Sequence, residues 1–259
     1  MQAESNFQPM RLFLLIRNAL VLNRASIAIT TAAVGSILML VSLLDALGQC
    51  QSGLHQKLFL LVLFSGGIIL TSRSFKELHD PIKSLPWLLL PASLLEKTLA
   101  RILLTTVVLI AGSMLFFFFF SLVSEGVNTF LFNRRHALFQ PFDPLVLKGA
   151  ITYTAVQAPY LLGAAYFRKH ALSKTILAML GFTVLLSLGF YLAARLIFGE
   201  QFSGLAFDDL FTEAGHSIEW AKVSGLGRAA AITTKVIFWL ALPLVSWTTC
   251  YFRLKETER

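Results

Sequence analysis

Long apolar runs, each close to the length of a bilayer-crossing helix, alternate with short polar segments along this chain. A hydrocarbon layer of roughly 30 Å takes about 20 helical residues. Six runs of that order lie at about 26–47, 56–72, 99–124, 145–167, 175–198 and 229–252. The pattern predicts an all-α integral membrane protein with six transmembrane helices. Ahead of the first run, MRLFLLIRNALVLNR places Arg11, Arg17, Asn18 and Arg24 on one arc of a helical wheel, opposite Leu12, Leu15, Ile16 and Leu22. That amphipathic pattern predicts an N-terminal interfacial helix over about 9–24. The arginines disfavour its being the first half of one long span.

Within the runs, Ala28, Ala32 and Ser36 recur every fourth residue, and Gly189 with Ala193 does the same in the fifth run. Such stripes allow close helix approach. Lys57 and Arg73 bracket only fifteen residues in the second run, so their side chains must snorkel or the bilayer must thin. Phe116 to Phe120 circle the third helix and fit lipid contact and packing better than a cofactor box. No repeat or linker divides the chain, so residues 1–259 are expected to form a single transmembrane domain.

Composition agrees with the bilayer as solvent: 56% of residues are hydrophobic and 14% charged. The net charge of +8 does not point to nucleic acid, because Lys and Arg sit at the ends of apolar runs and form no long basic tract. Counted over alternate connections, fourteen basic residues fall on one face and eight on the other. The positive-inside rule therefore predicts both termini in the cytoplasm; Arg134 and Arg135 run against it. Cys50 and Cys250 fall at opposite faces in this topology and are expected to be free thiols. Arg11, Arg17 and Arg24 interrupt the first apolar stretch, and no small-residue cleavage site follows, so no cleaved signal peptide is expected.

No zinc-binding HExxH, nucleophile-elbow GxSxG or phosphate-cradling GxxxxGK[ST] motif is present. The five histidines, at 55, 79, 136, 170 and 216, all fall in connections by this reading, where solvated side chains are expected. No catalytic residue, metal site or cofactor is expected in the chain. Asp45, Arg195 and Lys235 lie within about two turns of span ends and can reach the interface, although Asp45 or Arg195 facing a polar cavity stays open.

The connection from Arg73 to Arg101, RSFKELHDPIKSLPWLLLPASLLEKTLAR, carries the most information. LPWLLLP is too short to cross a membrane and suits the interface or another protein. Ser93 and Glu96, just after Pro91, form the SxxE pattern of a capping box and predict a helix that runs into the third span. The phrase LPASLLEK, with Lys97 followed four residues on by Arg101 and a charged FKEL upstream, resembles the cytoplasmic region of small bacterial ABC-2 type permeases. These are membrane subunits of ATP-binding-cassette exporters. By layout the resemblance covers the whole chain; at the level of residues it covers about 30.

The resemblance implies a bacterial inner-membrane protein that pairs with a second permease subunit, as homodimer or heterodimer, around a translocation path. It also implies a separate ABC ATPase subunit below, which would hold ATP and Mg. The coupling element would run from Phe75 to Lys83, with Lys76, Glu77, His79 and Asp80 between them; Pro91, Ser93, Glu96, Lys97 and Arg101 would form the neighbouring motif. The external connection Gly199 to Arg228, with Phe202, Leu205, Phe207, Leu210 and Phe211, suits short amphipathic helices over the outer mouth. An intramembrane enzyme would need polar residues clustered at midspan, which this reading does not find. A non-catalytic scaffold is the nearer alternative.

Overall fold

The computed structural model describes residues 8–48, 53–79, 92–132, 138–198 and 237–257. Among them the chain is all helix, with no strand. Helix α1 (Pro9–Leu22) is opened by Pro9 in its first turn, where the missing N–H costs nothing. Asn23 separates it from α2 (Arg24–Leu47), and the Asn23 amide donates to the Ala19 carbonyl at 2.9 Å. The arginine-bearing segment is thus its own helix. After α3 (Leu54–Ser72) comes a short 3₁₀ turn, Lys76–His79.

The third predicted span is longer than its apolar run. Helix α4 (Leu94–Leu103), a π-turn (Leu104–Val108) and helix α5 (Leu109–Phe132) form one continuous 39-residue rod. At 1.5 Å per residue the rod is about 58 Å long, nearly twice the hydrocarbon thickness, so its ends must project beyond it. Helix α6 (Pro144–Tyr166) and helix α7 (Ala171–Phe198) follow, and a second π-turn (Ile237–Ala241) leads into α8 (Leu242–Thr257).

Among the described residues four helices are long and apolar enough to cross a membrane: α2, α3, the α4–α5 rod and the 171–189 stretch of α7. Helix α6 has 23 residues, a sufficient length, but is richer in small and polar residues. It occupies the middle of the bundle, packed on α3, α7 and α8, so its surface meets protein and does not need the apolarity of a lipid-facing helix. Gly149 and Gly163 are what allow this. A methyl group at Gly149 would run into Leu60, and one at Gly163 would run into Thr175.

The core has two layers. At one end Leu38, Phe59, Leu63, Phe117, Phe120, Phe139, Val146 and Tyr153 join α2, α3, α5 and α6. Phe59 meets Phe117 edge-on at 5.6 Å between centroids, so the phenylalanine run supplies core through Phe117 and Phe120 while Phe118 and Phe119 stay exposed. At the other end Phe75, Ile102, Leu161, Ala164, Ala165, Cys250 and Leu254 join α4, α6 and α8. Cys250 is a free, buried thiol; Cys50 lies outside the described residues. The Ala28, Ala32 and Ser36 stripe is exposed, and α2 packs through Leu38, Ser42 and Ala46 instead.

Candidate functional site

Among the described residues, Phe75 and Lys76 after α3, and Ser93, Glu96, Lys97 and Arg101 in and before α4, lie where α3 stops and α4 starts. Arg73, Ser74 and Phe75 turn the chain away from α3, and the Leu78 N–H closes on the Phe75 carbonyl at 3.1 Å. Phe75 is 1% exposed, held in the second core layer beside Ile102, Leu161 and Leu254, with Leu78 packed against the same layer. Lys76 points outward. Glu77 and His79 belong to the same turn, but their side chains, like Asp80, Lys83 and Pro91, lie outside the described residues. Among the described residues the element is thus a four-residue 3₁₀ turn held by an aromatic anchor.

Across from it, α4 begins with the capping box. The Glu96 N–H donates to the Ser93 hydroxyl at 3.2 Å, and the Ser93 N–H donates back to Glu96 Oε2 at 2.9 Å. A further bond was not legible locally: the Gln8 N–H, at the start of α1, donates to Glu96 Oε1 at 2.8 Å. One carboxylate therefore ties the first turns of two helices 88 residues apart in sequence. Helix α1 packs along α4, with Leu12, Leu15 and Ile16 half-buried. Lys97 and Thr98 are buried in the same turn, and Arg101 is half-buried one turn on.

Glu96 lies ahead of the apolar run at 99–124, at the projecting end of the rod. Burial alone would raise the pKa of its carboxyl. The hydrogen bonds from Gln8 and from the Ser93 backbone and hydroxyl, with the Arg11 charge, outweigh that and hold it below the ordinary value.

At the opposite end the structure corrects one expectation. His55 is not a solvated loop residue: it sits in the first turn of α3, fully buried, with Nε2 3.1 Å from Glu125 Oε1 and its ring edge-on to Phe120. A buried polar cluster that the sequence pattern does not disclose lies beside it. The Ser42 and Ser124 hydroxyls bond at 2.6 Å, and the Asn128 amide donates to Ser42 at 3.0 Å. It joins α2, α3 and α5 near their ends rather than at midspan. The Ser42 hydroxyl meets both Ser124 and Asn128, and the His55 Nε2 contact goes to Glu125, so these side chains tie the helices to one another. His79 and His170 fall in connections, as expected; His136 and His216 lie outside the described residues, as do Lys235 and the whole connection 199–228.

Among the described residues no group of three or more His, Cys, Asp or Glu side chains is gathered to hold a metal ion. In comparisons with known protein families, curated proteins and solved structures, nothing matches the chain.

Proposed function

We propose that this chain is the membrane subunit of an ABC-2 type exporter, with six spans, α1 in the cytoplasmic interface and both termini in the cytoplasm of a bacterial inner membrane. In this reading the fourth span is α6, by length, and the sixth is the apolar run at about 229–252, which takes in the start of α8. A second permease subunit faces it across the path. ATP and Mg belong to a separate ABC ATPase; the chain itself carries no cofactor and is not an enzyme on its own.

The observation that carries the proposal is the anchorage of the Lys76–His79 turn. A force passing between two chains without a covalent link needs a short protruding element rigidly tied to the moving spans. Phe75 supplies that tie by sitting in the same core layer as Ile102 of α4, Leu161 of α6 and Leu254 of α8. Any displacement of the turn is thereby delivered to three helices at once. The mixed charges Lys76, Glu77, Asp80 and Lys83 suit docking on a protein partner.

The test is co-purification of an ATPase with the full-length chain in detergent, compared between wild type and Glu77→Lys with Asp80→Lys. The proposal expects the ATPase to be retained by wild type, and released by the double variant at unchanged thermal stability. Equal retention and equal ATP turnover in both would remove this turn as the coupling element.

A further inference from the structure

The rod formed by α4 and α5 is not uniform, and the place where it departs from α-helix is where another helix reaches it. A π-turn inserts one extra residue and disturbs the regular pairing of carbonyls with N–H groups. Here Leu109 N–H turns to the Thr106 carbonyl, and the Thr105 carbonyl accepts the Tyr153 hydroxyl of α6 at 3.1 Å. Two threonines tend the turn above: the Thr105 hydroxyl bonds the Arg101 carbonyl at 2.9 Å, and that of Thr106 bonds the Ile102 carbonyl at 2.6 Å.

Tyr153 is fully buried, with its hydroxyl also 3.3 Å from that of Thr71 and its ring edge-on to Phe64. The ring lies over Gly67, where a methyl group would come within 2.6 Å of it. One side chain of α6 thus joins α3 and the π-turn. We infer that residues 104–108 are a conformational hinge and that Tyr153, seated on Gly67, is the latch that holds it in the π form.

Converting the π-turn to regular α-helix would rotate α4 against α5 by about 100° and shift it by about 1.5 Å, the increment of one helical residue. The part that moves carries Glu96, and with it the tie to α1, and Ile102, which touches Phe75. The hinge rests on the geometry of the fold; only its use in transport rests on the exporter reading.

Hydrogen exchange, followed by mass spectrometry on the purified full-length chain, tests this without any partner. Tyr153→Phe keeps the ring and removes the latch bond, and the expected result is exchange about fivefold faster in residues 101–112, the factor of one hydrogen bond of ordinary net strength. Gly67→Ala, which displaces the ring, should act on the same residues. Thr152→Val, whose hydroxyl bonds only along its own helix to the Lys148 carbonyl, should leave them unchanged. Wild-type exchange at 101–112 in Tyr153→Phe, or acceleration spread evenly over the chain, would overturn the inference. If Tyr153→Phe does not fold, Gly67→Ala is read by the same criterion. Failure of ATPase binding would leave this result untouched, so the two ideas fail separately.

Discussion

Replacing Glu96 by Gln separates what the local pattern predicts from what the structure adds. A capping box tolerates Gln at this position, because its carbonyl oxygen also accepts the reciprocal bond. In the fold, however, Oε1 accepts from Gln8 and Oε2 from Ser93. Gln has one acceptor oxygen, so it keeps one bond and presents an NH₂ to the other N–H. A hydrogen bond to a charged group contributes about 1.5–3 kcal/mol. At the rim of the bundle the lower end applies, and about 1.5 kcal/mol is roughly tenfold in the docking of α1 on α4. Glu96→Ala loses both bonds and about 1 kcal/mol more as a cap.

The assay is limited trypsin cleavage of the full-length protein in detergent, read at Arg11 and Arg17 of α1, which become available as α1 leaves α4. The expected order of cleavage rate is wild type, then Gln, then Ala. Since the folded carboxyl titrates below its ordinary 4.5, its contribution is complete above about pH 4.5 and is lost as the pH falls through the lowered value. Wild type should therefore approach the Gln variant in acid. Gln and wild type cleaved at the same rate at neutral pH would refute the claim that both oxygens are engaged.

Phe75→Ala should lower stability by about 3–5 kcal/mol, the usual cost of truncating a buried phenylalanine, measured as a fall in thermal midpoint. Gly163→Val should destabilise the α6–α7 pair because the added carbons would overlap the Thr175 side chain, whereas Gly112→Ala, with open space around it, should be neutral in the same assay. A double-mutant cycle on His55→Ala and Glu125→Ala should give a coupling energy of about 1–3 kcal/mol, while a sum of the single effects would mean the 3.1 Å contact contributes nothing.

What the sequence discloses is what depends on near neighbours. The capping box is readable because Ser93 and Glu96 are three residues apart, and the break at Asn23 because arginines must leave hydrocarbon. The Gln8 bond is invisible in the same residues, since its donor is 88 positions away. The apolar run starts only at Gln56 and so leaves His55 in a connection; the helix begins earlier, and burial follows from Glu125 and Phe120 on another helix. The third apolar run stops at Ser124, short of Glu125 and Asn128. They lie on one helical face with Ser121 and Ser124, a spacing of three and four that marks a polar seam toward neighbouring helices. That seam was the available signal for the buried cluster. Helix α6 reads as weakly apolar for the complementary reason, that its neighbours are helices and not lipid.

The coupling proposal stands on which side of the membrane the Lys76–His79 turn faces, so sidedness tests it most directly. In a background with Cys50 and Cys250 replaced by Ala, single variants Lys76→Cys and Gln51→Cys are exposed, in intact cells, to a thiol reagent that does not cross the membrane. The expected result is labelling at position 51 and none at position 76 until the cells are opened. Labelling of Lys76→Cys from outside would contradict the cytoplasmic placement of the turn, and with it the docking of an ATPase there.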